Sequence, residues 1–385
     1  MSKLLQETEE EAEKPPNSLG LLEALHVNKI EITIVGMGTA IYLVSWIYSY
    51  HTIMLLLGFI VGSWYISRPS EWLYRGVNNL RIYFGLREYI MGVLSAFAAI
   101  AAEIFIVVIS LYYAYANGLM ELVEIAVLST LFTMSFNILI LGLLAIKVDS
   151  IPVALSEEEL VREMGIINWT MMASFLLAFL ALIRMIFSNG NTDPLVIPPA
   201  GAVMLPLSYI IYIYFLKDKA KVEKKVKTRG DLTPRQAAIV TILGVLGALV
   251  GSEMLIESSR LVLEMNINML RAVGNPVVII ALIIGIASAV HDLILNIFFT
   301  VRAQLSATVG NLIGSTLQLL LLILGIVGIF IPLPLTDYIT YELLVISISL
   351  WFIRVSISDK KIDDYDGALL VTLQVLSLAL LFQGF

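Results

Sequence analysis

The sequence contains no cysteine, and only 14% of its 385 residues are charged. The absence of cysteine excludes disulfides, thiolate metal sites and cysteine nucleophiles. No basic patch with interleaved aromatic residues is present, so nothing indicates a nucleic-acid partner. Hydrophobic residues make up 59% of the chain, well above the share of roughly half in a soluble domain. Apolar stretches of about 20 residues recur, each long enough to cross a bilayer. The composition therefore predicts an all-α polytopic membrane protein.

Breaks between the apolar stretches predict eleven transmembrane helices. They are expected at 28–48, 51–67, 88–117, 119–146, 163–188, 195–216, 237–264, 272–301, 305–331, 338–355 and 366–384. The acidic N-terminal segment lacks the basic start and the cleavage site of a secretory signal peptide. The predicted domains are an acidic cytoplasmic tail at 1–27, an extra N-terminal transmembrane helix at 28–50, a first transmembrane repeat at 51–216, a basic cytoplasmic loop at 217–236 and a second transmembrane repeat at 237–385.

Basic residues predict the orientation of these helices. The loop at 217–236 is rich in lysine and arginine, and the positive-inside rule places it in the cytoplasm. Alternation from this loop puts most other basic loops inside as well, including Arg68, Arg75 and Arg81 after the second helix. We therefore expect an integral membrane protein of a prokaryotic plasma membrane, with a cytoplasmic N-terminus and an external C-terminus.

Two short motifs recur in both halves of the chain. Val61-Gly62-Ser63 is followed, 40 residues after its serine, by Glu103, and Val250-Gly251-Ser252 is followed at the same distance by Asp292. Because each repeat contains five helices, an odd number, the second copy must enter the membrane from the opposite side. The sequence thus predicts a 5+5 inverted-topology repeat plus one extra helix, an architecture typical of secondary transporters.

Glu103 and Asp292 are the two acids at matching positions within predicted spans. A carboxylate at a helix centre costs roughly 3 kcal/mol on insertion scales, so it should face a partner, a cation or a water-filled cavity. Two carboxylates provide the hard oxygen ligands and the charge that suit a divalent cation such as calcium, and they can equally hold protons. The alternative is a structural hydrogen bond between protonated acids.

Small and polar residues accompany these acids. Ser288 and His291 precede Asp292; we predict Ser288 as a cation ligand and His291 as a proton-coupling group, because its pKa lies near neutrality. The alternative for His291 is helix packing. In the helices that follow the acids, Thr133 and Asn137, and likewise Ser315 and Gln318, are spaced to share a helical face. These four are further candidates for the cation's oxygen shell, and the alternative is that they hold helices together.

With these motifs, the sequence resembles the calcium/cation antiporter superfamily over about 51–384. The second half carries the best match: Asp292 takes the acidic position, Gly314-Ser315 follows, and Gln318 completes a Gly-Ser-x-x-Gln pattern similar to that of the calcium/proton exchanger branch. The extra N-terminal helix also resembles that branch. The resemblance implies that the two acids and the Gly-Ser and amide positions bind the transported cation.

The sequence departs from the family pattern at several positions. Ala102 and His291 stand where the sodium/calcium branch usually has proline, and Leu319 stands where that branch commonly has Asp or Asn. Both departures favour protons over sodium as the counter-ion. In the first half, Phe132-Thr133 replaces Gly-Ser, and the segment between Glu103 and Asn137 is longer than the family norm.

The expected function is therefore secondary active antiport, with calcium or a related metal cation exported in exchange for protons by alternating access. The alternatives are a sodium/calcium exchanger and a non-transporting membrane scaffold or sensor that kept the fold. We expect no enzymatic activity, since the Tyr-Asp and Gly-x-Gly-Asp motifs of intramembrane aspartyl proteases do not surround either acid. The expected partners are the transported cation, protons or sodium, and lipid, with no resident cofactor.

Overall fold

The computed structural model describes residues 25, 27–84, 100–148, 150–152, 157–187, 195–217, 232–265, 274–301 and 305–383. Its helices are α1 (Lys29–Ile47), α2 (His51–Phe84), α3 (Ala101–Asn117), α4 (Glu121–Val148), α5 (Glu157–Phe187), α6 in two pieces (Pro199–Ala202 and Met204–Lys217), α7 (Pro234–Met265), α8 (Pro276–Val301), α9 in three pieces (Leu305–Gln318, π-helical Leu319–Leu324, and Gly325–Phe330), α10 (Asp337–Ser358) and α11 (Asp364–Gln383). Four short strands accompany them, namely β1 (Ser150–Pro152), β2 (Leu195–Ile197), β3 (Leu333–Leu335) and β4 (Lys361–Asp363).

The helices lie at the predicted spans, except that the second is longer than predicted and that residues 88–99 of the third span lie outside the described residues. Within the described ranges, eight helices are long and apolar enough to cross a membrane, and three shorter apolar helices lie at 101–117, 199–214 and 276–290. Together they occupy all eleven predicted positions, so the predicted helical membrane fold is confirmed. The predicted tail at 1–27 and the loop at 217–236 lie largely outside the described residues.

The second helix is longer than the sequence predicted. We expected it to end at residue 67, but α2 continues as one helix to Phe84 and passes through Pro69. Arg68, Arg75 and Arg81 therefore lie on a helix and not in a loop, which corrects the prediction. The prediction ended the span where apolar residues ended, whereas a helix can leave the membrane with its backbone bonds intact. The Arg68 guanidinium is held by Glu31 at 3.0 Å and Glu71 at 2.9 Å.

Helices α2 and α7 cross at reciprocal glycines. A Cβ atom on Gly62 would lie 3.2 Å from the Leu255 side chain, and one on Gly251 would lie 2.8 Å from the Ile66 backbone nitrogen. The sequence offset from Gly62 to Gly251 is also the offset from Ile66 to Leu255. Gly62 faces Leu255, and its counterpart Gly251 faces Ile66, the counterpart of Leu255. Such an exchange of equivalent contacts indicates a two-fold relation between the halves. The inverted repeat predicted from the sequence is therefore present in the packing.

A second reciprocal contact links the other central helices. A Cβ atom on Gly142 of α4 would lie 3.0 Å from Val371 of α11, and one on Gly325 of α9 would lie 3.1 Å from Leu205 of α6. The pair α4 and α11 is thus matched by the pair α9 and α6. Most of the α4 and α9 spans is buried, whereas little of α1 is, so α4 and α9 form the centre of the molecule.

The four short strands were missed by the sequence analysis. β1 pairs antiparallel with β4, and β2 pairs antiparallel with β3. Each pair joins a loop of the first half to a loop of the second, and the predicted alternation of helices puts both members of a pair on the same side of the membrane. Three-residue strands carry no periodic signal of their own, so only the packing of the two halves reveals them.

Charged residues in the α7 span are neutralised locally. The Arg260 guanidinium lies 2.6 Å from Glu257 and 2.5 Å from Glu264. Arg68 and Glu71 occupy the counterpart positions on α2 and are also paired, with the order of the two signs reversed. Arg260, which lies within the seventh predicted span, is therefore paired with acidic side chains of its own helix.

Candidate functional site

The site begins where α8 approaches α4. A Cβ atom on Gly285 would lie 2.7 Å from the Phe132 Cβ and 3.0 Å from the Ser129 carbonyl oxygen. Only glycine permits the two backbones to come this close without a shift of the neighbouring atoms. Asp292 follows Gly285 by about two helical turns, and Asn137 follows Thr133 by about one. The close approach of the helices therefore brings the acid of one repeat to the amide of the other.

Asp292 is buried and accepts hydrogen bonds from two helices. The Asn137 amide nitrogen on α4 donates to Asp292 Oδ2 at 2.9 Å, and the Asn311 amide nitrogen on α9 lies 3.5 Å from Asp292 Oδ1. The Asn137 amide nitrogen also donates to Ser315 Oγ at 3.0 Å. Asn137 is completely buried, and it therefore joins the acidic helix α8 to the Gly-Ser helix α9.

Glu103 lies in the first turn of α3 and is 6% exposed. Its carboxyl group is close enough to that of Asp292 for the two groups to interact electrostatically. The α3 backbone lies against α7, since Ser252 Oγ, which donates to the Ala248 carbonyl oxygen at 2.8 Å, is also 3.3 Å from the Ala102 carbonyl oxygen. The structure thus brings together the two acids that the sequence singled out, one from each half.

Four buried oxygens at or beside the two acids have no hydrogen-bond partner among the described residues. They are Glu103 Oε2, Asn137 Oδ1, Ser288 Oγ and Gln318 Oε1, and all are buried. These atoms belong to four helices, α3, α4, α8 and α9. A buried polar atom without a partner costs about 1–3 kcal/mol, so these four oxygens, one of them from the Glu103 carboxyl group itself, are the atoms available to a ligand.

The site is not symmetric, although the fold is. Thr133 and Ser315 are counterparts in α4 and α9, and at the same offset Asn137 has Leu319 as its counterpart. Leu319 is buried and opens the π-helical segment of α9, against which α3 packs. The Asp292 side of the site therefore has a buried amide that the other repeat replaces with an aliphatic side chain.

The other predicted residues have different surroundings. The Thr133 hydroxyl donates to the Ser129 carbonyl oxygen at 3.0 Å and lies 3.4 Å from the Gly285 carbonyl oxygen, which is the geometry of the helix-packing alternative. Ser288 is buried one helical turn before Asp292. The side chain of His291 lies outside the described residues, so its proton-coupling role stays a prediction.

Two polar residues near the centre were not found from the sequence. Asn296 donates to the Asp292 carbonyl oxygen at 2.6 Å, and an amide four residues after an intramembrane acid was the available signal. Glu342 on α10 is fully buried and accepts a hydrogen bond from Ser135. Glu342 lies only a few residues after the predicted start of its helix, so its position in the sequence gave no sign that it would be buried.

A cation at this site would depend on few charges. Within the described part of the chain, no group of three or more His, Asp or Glu side chains is placed to hold a metal ion. Glu103 and Asp292 would supply two negative charges, and the remaining ligands would be neutral amide and hydroxyl oxygens. This donor set is hard and oxygen-only, which suits calcium or a similar cation and not a soft transition metal.

The second half of the chain is similar to a known family. Residues 236–383 match the family described as Sodium/calcium exchanger protein. These residues contain Asp292, Ser315 and Gln318, where the sequence pattern is clearest. No curated protein matches the chain in sequence.

Solved structures share the fold of the whole chain. A crystal structure of the H+/Ca2+ exchanger CAX matches with a TM-score of 0.70 and 18% sequence identity, covering 94% of this chain and 89% of that one. The sodium-calcium exchanger NCX_Mj, soaked with 100 mM Na+ and 10 mM Sr2+, matches with a TM-score of 0.54 and 20% identity, covering 85% of this chain and 98% of that one. At these identities the matches establish a common fold.

Proposed function

We propose that this chain is a member of the calcium/cation antiporter superfamily and a secondary active antiporter, which exports calcium or a related metal cation in exchange for protons. One observation supports this above all others: buried acids from the two inverted halves, Glu103 and Asp292, lie within electrostatic range of each other. Both exchangers that share the fold are named for calcium transport, one with protons and one with sodium. The chain is proposed to be a transporter and not an enzyme.

The oxygens available at the site fit a dehydrated cation as the substrate. Calcium takes about six to eight oxygen ligands at about 2.3–2.6 Å. The two carboxylates offer up to four, and the amide oxygens of Asn137 and Gln318 and the hydroxyl of Ser288 offer three more. The side-chain amide nitrogen of Asn137 already holds Asp292, which leaves its oxygen available. A cation bound there would satisfy the buried oxygens that have no partner.

Competition at the carboxylates would couple the two ions. Protons that bind Glu103 and Asp292 remove the negative charge that holds the metal, so protons and metal compete for the site. A site with neither ion carries two uncompensated charges, and the change between inward-facing and outward-facing states is least favourable in that form. Protons are favoured over sodium because Leu319 offers no oxygen at the position where the sodium/calcium branch commonly has one. The same proposal includes export from the cytoplasm and a location in a prokaryotic plasma membrane. It also includes a cytoplasmic N-terminus, an external C-terminus and a division into repeats at 51–216 and 237–385.

Transport by purified protein in liposomes tests this assignment. Cation flux should be driven by an imposed pH gradient in wild type and abolished in Glu103→Gln and Asp292→Asn, which keep the shape of each side chain and remove its charge. Asp359→Asn is the matched control. Asp359 is exposed after α10, so this variant should transport normally. Comparing calcium, magnesium, manganese and sodium under pH and sodium gradients identifies both ions. Wild-type flux that persists in both acid variants would refute the assignment.

A second function is supported by the asymmetry of the site. Leu319 and Phe136 stand at the counterpart positions of Asn137 and Gln318, so the repeats no longer provide equivalent ligands. A protein that binds a cation without moving it, as a membrane scaffold or sensor, would also retain Glu103 and Asp292. Such a protein would show cation-dependent thermal stabilisation and no gradient-driven flux, whereas an antiporter shows both.

A further inference from the structure

A third acid, Glu342, lies inside the helical bundle away from the two site acids. It is on α10 and is 0% exposed. Ser135 of α4 donates a hydrogen bond to Glu342 Oε1, whereas Glu342 Oε2 is buried and has no hydrogen-bond partner in the described part of the chain. Ser377 of α11 lies near the same carboxyl group, although its hydroxyl makes no hydrogen bond with any described residue. Three helices thus meet at one carboxyl group.

Among the described side chains, no cation is paired with Glu342. Among the described residues, the interactions resolved on this carboxyl come only from Ser135 and Ser377. Among the side chains that the structure describes on the elements packed against α10, the other titratable or charged residues are Glu121, Glu124 and Lys147 at the ends of α4, Arg184 in the last turn of α5, Asp364, Tyr365 and Asp366 in the first turn of α11, and Lys361 and Asp363 on β4. Those of α10 itself are Asp337, Tyr338, Tyr341 and Arg354.

An unpaired carboxylate in such surroundings is strongly disfavoured, because burial removes water and supplies no opposite charge. A proton on Oε2 removes this charge and also provides a donor that can turn toward the Ser377 hydroxyl. The neutral acid then accepts from Ser135 on one oxygen and donates from the other, which satisfies both buried oxygens of Glu342.

The position of Ser135 relates this acid to the candidate site. Ser135 lies two residues from both Thr133 and Asn137, and at about 100° per residue its side chain leaves α4 on the face opposite to theirs. Asn137 holds Asp292 on one face of α4, and Glu342 contacts the other face. Glu342 and Asp292 therefore lie on opposite faces of α4. Because both contact this helix, a shift of α4 at one acid would also be felt at the other.

We propose that Glu342 is a separate proton-binding site, whose neutral carboxyl group ties α4 to α10 and α11 and keeps Asn137 in place against Asp292. The coupling to transport rests on the proposed antiport, but proton binding at Glu342 does not. A proton at Glu103 or Asp292 competes directly with the metal. A proton at Glu342 acts from behind α4 and affects the exchange without competing for the same oxygens.

Thermal stability as a function of pH tests the proton site independently of transport. A group that is held neutral by the folded protein contributes stability at low pH, and this contribution is lost as the pH rises and the group ionises. Glutamine imitates the neutral acid, so the melting temperature of Glu342→Gln relative to wild type should rise between about pH 5 and pH 9. In wild type, infrared difference spectra should show the C=O band of a protonated acid, and this band should be absent in Glu342→Gln.

Gln374→Met is the matched control. The Gln374 amide nitrogen donates to Ser349 Oγ at 2.8 Å, which is a buried hydrogen bond between the same two helices, α10 and α11, without a titratable group. This variant should lower stability by the same amount at every pH. A Glu342→Gln difference that does not change with pH, or a spectrum that keeps the same carboxylic-acid band, would overturn the proposal.

Transport measurements distinguish the two proposals. In Glu342→Gln, protons should still raise the cation concentration needed for half-maximal flux, while the pH dependence of the maximal rate should be reduced. Loss of the competition in Glu342→Gln would place this acid in the exchange site and refute its separate role. If wild-type protein shows no flux at all, the proposed antiport fails, but the melting and infrared measurements still decide whether Glu342 binds a proton.

Discussion

Replacing Asn137 tests the geometry of the candidate site most directly. This residue is completely buried, and its amide nitrogen reaches Asp292 Oδ2 at 2.9 Å and Ser315 Oγ at 3.0 Å. Its oxygen has no partner and is proposed to bind the cation. Asn137→Ala removes both functions: Asp292 is no longer held in position, and one neutral ligand is lost.

The size of the effect follows from the bond that is lost. A hydrogen bond to a charged group contributes about 1.5–3 kcal/mol, and each 1.4 kcal/mol corresponds to about a factor of ten in an equilibrium constant. We therefore expect the cation concentration for half-maximal flux to rise about 10- to 150-fold in Asn137→Ala. The assay is cation uptake into liposomes over a range of cation concentrations, at a fixed pH gradient and with equal amounts of reconstituted protein.

Asn79→Ala controls for the loss of a buried amide elsewhere. The Asn79 amide nitrogen donates to the Arg75 carbonyl oxygen at 2.9 Å, and its side-chain oxygen accepts from the Leu232 backbone nitrogen at 3.2 Å. The Asn79→Ala variant should therefore be less stable than wild type but should need the same cation concentration for half-maximal flux. An unchanged half-maximal concentration in Asn137→Ala, or an equal rise in Asn79→Ala, would show that the contact with Asp292 does not set cation affinity.

Two further predictions concern packing and pH. Gly285→Ala should destabilise the protein by about 1–3 kcal/mol, because its Cβ would lie 2.7 Å from the Phe132 Cβ, whereas Gly314→Ala meets nothing within 4 Å and should stay within about 0.5 kcal/mol of wild type; unfolding in detergent measures both, and equal effects would contradict the argument. The backbone N–H of Asp366 donates to Asp363 at 2.9 Å and holds the pKa of Asp363 below its ordinary value. Because such a group contributes stability above its ordinary pKa and loses it as the pH falls through the lowered one, Asp363→Ala should melt at a lower temperature than wild type at neutral pH and at the same temperature in acid; a constant difference would refute this.

Local sequence was sufficient to locate the helices and the repeat. Eleven apolar stretches predicted the spans, because a helix in lipid must satisfy its backbone internally and present apolar side chains outward. The spacing from Gly62 to Glu103 and from Gly251 to Asp292 predicted the inverted repeat, since duplicated halves keep their internal distances. Both inferences use information that lies within a single segment or within its copy.

The tertiary structure decided which atoms meet across the two halves. Asn137 holds Asp292 because Gly285 lets α8 approach α4, and β1 pairs with β4 because the two-fold relation brings distant loops together. The hydropathy pattern predicted that α2 would end at residue 67, although the helix continues to Phe84. The same pattern could not predict the contact between Glu342 and Ser135. Such contacts depend on the packing of helices far apart in sequence, and no local pattern encodes that packing. The residue types at the site were therefore predictable, while their partners and the asymmetry between Asn137 and Leu319 required the fold.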